Sequence, residues 1–85
     1  MEAYIVEYLG TLLLIGTIAF SGKPEFILAA LAVAIGLGGK ISGGHFNPAV
    51  SVWAWLSGKI STKVYGMYIL AQVAAAITVL VLFRS

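Results

Sequence analysis

Three long apolar runs, separated by short polar or glycine-rich breaks, set the pattern of this chain. The first extends from Tyr4 to Phe20 and is interrupted only by Glu7, glycines and threonines. At about 1.5 Å per residue, its roughly 17 positions nearly cross a hydrocarbon layer about 30 Å thick. Ser21-Gly22-Lys23-Pro24-Glu25 then predicts a turn. A second run, rich in Ala, Leu, Ile and Gly, follows from Phe26 to about Ile41, and the third runs from Val64 to Phe83. Between them lie an irregular stretch, Ser42 to Pro48, a short apolar segment, Ala49 to Leu56, and a polar turn, Ser57 to Thr62. The expected helices therefore cover residues 4–21, 26–41, 49–56 and 63–83, with a loop over 42–48 and a single structural unit over 1–85.

Eight residues of helix from Ala49 reach only about 12 Å, less than half of the hydrocarbon layer. A short helix after a glycine-rich loop, between two spanning helices, reads as a re-entrant half-helix. Irregular backbone at membrane depth is tolerated only where protein buries it or a water-filled cavity meets it. The other reading is an extramembrane loop with an interfacial helix, which Trp53 and Trp55 would suit. Spacing alone leaves both open.

Composition places the chain in lipid. Hydrophobic residues make up 61% and charged residues 9% of its 85 positions, against about a quarter charged in soluble domains. The expected class is an all-α, multi-pass integral membrane protein with three transmembrane helices and one re-entrant half-helix. Its net charge of +2 is small and scattered, so no nucleic-acid partner is expected. The absence of cysteine removes disulfides, thiol catalysis and thiolate metal sites. No metal or other cofactor is expected, since His45 has no second ligand nearby, and no paired groups support an enzyme. The early charges Glu2 and Glu7 differ from the basic start of a signal peptide, which predicts mature protein from Met1 onward.

Candidate chemistry gathers at His45-Phe46-Asn47-Pro48-Ala49-Val50. Asn is among the best N-caps and Pro suits the first helical position, so Asn47-Pro48-Ala49 predicts a helix start. The Asn47 carboxamide oxygen can accept from its own helix, which leaves the NH₂ donors pointing outward. At the bilayer midplane those donors would coincide with the positive end of the helix dipole. Both features suit the oxygen of a polar neutral molecule and oppose a cation.

The stretch Ser42-Gly43-Gly44-His45-Phe46-Asn47-Pro48-Ala49-Val50 resembles the first pore loop of the aquaporin (major intrinsic protein) family, including its Asn-Pro-Ala signature. Two further stretches resemble family motifs in the matching order: Glu7-Tyr8-Leu9-Gly10-Thr11 on the first helix, and Tyr68-Ile69-Leu70-Ala71-Gln72 on the third. The likeness covers the whole chain but only one of the family's two inverted repeats, and it favours the half-helix over the interfacial helix. It implies a pore lined by His45, Asn47 and Val50, with Ile27 and Ile35 near the constriction. It also implies a pore loop built on Gly43, Gly44, Pro48 and Ala49, buttressed by Glu7 and Gln72. The alternatives are a snorkelling Glu7 near an interface and a generic interhelical bond for Gln72. His45 has two roles open to it, fixing the loop and lining the pore.

Ala30, Ala34 and Gly38 form one row of small residues, and Ala71 and Ala75 another. The resemblance makes the first row a candidate subunit contact; the alternative is generic packing. The aromatic residues at 4, 8, 53, 55, 65 and 68 fit interfacial anchors or packing groups. Val50 stands where the family's second repeat usually carries a filter arginine, so a pore of two such chains would lack that arginine and could be wider.

The implied function is passive passage of water or small neutral solutes such as glycerol, through a pore made by an inverted homodimer in the lipid bilayer. By family likeness such dimers would gather as a tetramer. The alternatives are a structural or regulatory membrane subunit that co-assembles with other channels, and a first half that is stable only with its missing partner. Dual insertion would need a weak orientation signal, and Lys40, Lys59 and Lys63 at one end face only Lys23 and Arg84 at the other. The same split also reads as a weak preference for a cytoplasmic amino terminus.

Overall fold

The computed structural model describes residues 1–84. Its four helices are α1 (Glu2–Phe20), α2 (Pro24–Ser42), α3 (Pro48–Leu56) and α4 (Thr62–Arg84), and no strand occurs among the described residues. Three of them, α1, α2 and α4, are long and apolar enough to cross a membrane. The molecule is 36 Å in its longest dimension, enough for a hydrocarbon layer of about 30 Å.

Local chemistry explains the helix ends. Helix α2 starts at Pro24 because proline's fixed φ suits the first turn, after an extended Lys23. It ends where Gly43 turns left-handed at φ 90° and donates its N–H to the Gly39 carbonyl at 2.8 Å. Asn47 is extended and caps α3, its side-chain oxygen accepting the Ala49 N–H at 2.8 Å. The Ser61 hydroxyl accepts from the Val64 N–H at 3.1 Å at the start of α4.

Helix α1 lies at the centre, packed on α2 along one side and α4 along the other, while α3 packs on α4. Small residues make the close approaches: Gly10 is buried on α1, Ala30, Ala34 and Gly38 on α2, and Ala75 on α4. Phe46 fills the space beneath the loop, 2% exposed. A Cβ on Gly10 would overlap the Phe46 ring, and one on Gly38 would overlap the Val6 side chain.

That packing corrects one expectation. The row Ala30, Ala34 and Gly38, expected to meet a second copy, is buried inside this chain. Helix α2 packs only on α1 among the described helices, so α1 covers the row. The small side chains let two helices of one chain approach, and any subunit contact through α2 must use another face, such as that of Phe26, Val33 and Leu37.

Candidate functional site: the loop 43–47 and the start of α3

The loop before α3 lies inside the bundle, held by α1 and α4. Glu7, five residues into α1, is fully buried, and its carboxylate accepts four hydrogen bonds. One oxygen accepts from the Ser42 hydroxyl at 2.7 Å and the His45 N–H at 3.0 Å. The other accepts from the Phe46 N–H at 2.8 Å and the Gln72 amide nitrogen at 2.9 Å. Two oxygens accepting two donors each is about the full capacity of a carboxylate. Two loop N–H groups that would otherwise be stranded in an apolar interior are thereby satisfied.

From Gln72, 1% exposed, the network continues to the other side of the loop. The Gln72 amide also donates to the Ser51 hydroxyl at 2.9 Å, and Ser51 lies 2.8 Å from the His45 Nδ1. The Tyr68 ring meets the His45 ring edge-on at 5.0 Å and donates its hydroxyl to the Ser42 carbonyl at 2.6 Å. Left-handed backbone at Gly43, Gly44 and Phe46 lets the chain turn tightly enough to present successive N–H groups to Glu7.

The polar face of the loop is open. Asn47, Pro48, Ala49 and Val50 are all exposed, and His45 is half-buried. The Asn47 NH₂ bonds nothing among the described residues and is free to meet a ligand. Val50, three positions later on α3, shares its face and is 38% exposed. Ile35 comes close to the loop, near where a Cβ on Gly44 would lie, and is exposed. Ile27 is not gathered with them: it sits eight positions earlier on α2, about 12 Å further along the axis.

Beyond Asn47, away from the short helix, an open groove of about 490 Å³ runs between α1 and α4. Its wall is apolar, including Leu14, Ile18, Ile77 and Leu80, except at the Asn47 end. There two buried polar atoms, the Thr11 hydroxyl and the Gln72 amide oxygen, have no partner among the described residues. At the opposite end of α3, Trp55 stacks on Tyr65 at 4.5 Å and donates to the Thr62 hydroxyl at 3.1 Å. The Lys59 ammonium sits over the Trp53 ring at 5.3 Å. No group of three His, Cys, Asp or Glu side chains suited to a metal gathers among the described residues.

The family profile described as Major intrinsic protein matches residues 1–85. The chain belongs to the major intrinsic protein family. With three helices suited to spanning, it is an integral multi-pass membrane protein. The Aquaglyceroporin AqpS of Rhizobium meliloti (strain 1021) is 36% identical over 89 residues, a match covering 86% of this chain and 38% of that protein. The Glycerol uptake facilitator protein-like 6 of Lactiplantibacillus plantarum is 36% identical over 90 residues, covering 91% of this chain and 40% of that protein. The chain thus spans about two-fifths of the length of the curated relatives it matches. No solved structure matches it.

Sequence reasoning missed Ser51, Phe46 and Thr11. Ser51 had a signal: a hydroxyl in an apolar helix, four residues after Asn47, belongs on the face turned to other helices. Phe46 had none, because its role depends on a left-handed backbone and on the glycines it packs against.

Proposed function

We propose that this major intrinsic protein chain forms a passive channel for water and small neutral solutes such as glycerol, from two copies inserted in opposite orientations. The observation that carries the proposal is the exposed Asn47 at the start of a half-helix, where Glu7 accepts from the two preceding loop N–H groups and Gln72 donates to Ser51 of the helix itself. Its free NH₂ donors and the positive end of the α3 dipole favour a neutral oxygen and disfavour a cation. His45 and Val50 line the passage beside Asn47, with Ile35 closer to the constriction than Ile27. Gly43, Gly44, Pro48 and Ala49 shape the loop.

One half-helix of nine residues covers about 13 Å, so a single chain lines only one side of the membrane. The groove beyond Asn47 supports an inverted partner: a second α3 entering from the other face would lie along Leu14, Ile18 and Leu80, meeting the first near Asn47. Four such dimers would gather by family likeness. The named relatives, an aquaglyceroporin and a glycerol uptake facilitator protein-like protein, support solutes of this class.

The test is vesicle shrinkage after an osmotic jump, with the purified chain as the only protein. Faster shrinkage with water and glycerol, lost on Asn47→Asp, is the expected result. Flux that appears only when a full-length family member is added would replace this function with co-assembly.

A further inference from the structure

Ser51 is fully buried on α3, directly after the stretch Ser42 to Val50. Its hydroxyl lies between two groups of different kinds. On one side is the Gln72 amide nitrogen at 2.9 Å, which spends its other hydrogen on Glu7. On the other is the His45 Nδ1 at 2.8 Å. An amide NH₂ only donates, so Ser51 must accept from Gln72, and its own hydrogen then needs an acceptor.

The usual outlet for a serine or threonine on a helix is the carbonyl four residues back, as Ser57, Thr17 and Thr78 use here. Ser51 makes no such side-chain bond to the Asn47 carbonyl, which accepts the Val50 and Ser51 N–H groups. His45 Nδ1 is therefore the one acceptor within reach of the Ser51 hydrogen among the described residues. A hydrogen on Nδ1 would make the Ser51 oxygen accept twice and strand its own buried hydrogen among the described residues.

We propose that Ser51 and Gln72 are positioning residues that hold the neutral His45 imidazole with its hydrogen on Nε2, so that His45 presents a fixed N–H donor on the open side of the loop. The direction of donation runs one way, from Gln72 to Ser51 to Nδ1, and the edge-on Tyr68 ring keeps the imidazole plane from turning. Nε2 lies on the Gly43 side of the loop, 3.4 Å from where a Cβ on Gly43 would sit, and it bonds nothing else among the described residues. Resting on the channel function above, this adds a second donor for solute oxygen after the Asn47 NH₂. It also makes His45 a loop-fixing and a solute-facing residue at once, with one ring nitrogen for each task.

Because His45 is the only histidine in the chain, its ring can be read alone. Nitrogen NMR of histidine-labelled protein in lipid bilayers should show Nε2 protonated and Nδ1 bare, with a tautomer ratio of about tenfold or more, the weight of one stranded buried donor. Ser51→Ala should move the Nδ1 resonance to that of an unbonded nitrogen and lower the ratio several-fold. Ser51→Thr should restore both. A wild-type ring protonated on Nδ1 would overturn the proposal, whatever the variants do, and so would a Ser51→Ala spectrum identical to wild type. The spectrum needs no transport, so a chain with the Nε2–H ring but no osmotic flux overturns the channel function and not the ring assignment.

Discussion

Replacing Glu7 with glutamine changes one atom and should break the loop. In the native site every partner of the carboxylate is a donor: the Ser42 hydroxyl, two backbone N–H groups and the Gln72 amide. A carboxamide must put an NH₂ group against one pair. If it faces Ser42 and His45, the serine can turn and accept, but the His45 N–H is stranded. If it faces Phe46 and Gln72, the glutamine can flip its amide, but the Phe46 N–H is stranded and Ser51 loses its donor. Either arrangement orphans one backbone N–H, which costs about 1–3 kcal/mol, and the remaining bonds lose their charge assistance. The sum for Glu7→Gln is about 2–4 kcal/mol of destabilisation. Reversible unfolding in mixed micelles, followed by helical circular dichroism, measures it. Glu7→Asp, which keeps the charge but retracts it by one methylene, should fall between wild type and Glu7→Gln. A loss for Glu7→Gln below about 0.5 kcal/mol would mean that the carboxylate does not hold the loop.

Gly10→Ala should cost about 1–3 kcal/mol in the same assay, because its Cβ overlaps the buried Phe46 ring. Gly16→Ala, which meets nothing within 4 Å, should be neutral or slightly stabilising; equal effects at the two glycines would contradict the close-packed role of Phe46. Val50→Arg should narrow both vestibules and suppress glycerol flux more than water flux in the osmotic assay. Unchanged fluxes would remove Val50 from the constriction.

The spans were legible because lipid demands long apolar runs whatever the helices touch. The start of α3 was legible because asparagine and proline have local roles that need no tertiary partner. Glu7 stood out as a charge that lipid would not tolerate. The inward face of α2 was not legible. In a soluble helix, polar residues mark the outside, but here lipid and protein interior are both apolar, so the Ala30 row carried no label of inside or outside. The structure turns it to α1, and the leucine, valine and phenylalanine face goes outward. The signal from Ser51 and Thr11 was weak for a related reason: a lone hydroxyl in an apolar helix can bond its own backbone, and only the fold shows that Ser51 does not.

The inverted pair is tested most directly by the orientation of the chain itself. The protein has no cysteine, so one can be placed at either end of the bundle: Ser21→Cys in the turn between α1 and α2, or Ser57→Cys after α3. These positions are exposed, and they lie at opposite ends of α4, near the Phe20–Phe83 and Trp55–Thr62 contacts, so a spanning α4 puts them at opposite faces of the membrane. Membrane-impermeant maleimide added to intact cells should label each variant on roughly half of its molecules, as a nearly balanced charge distribution allows. Full labelling of one variant and none of the other would establish a single orientation and contradict the inverted dimer.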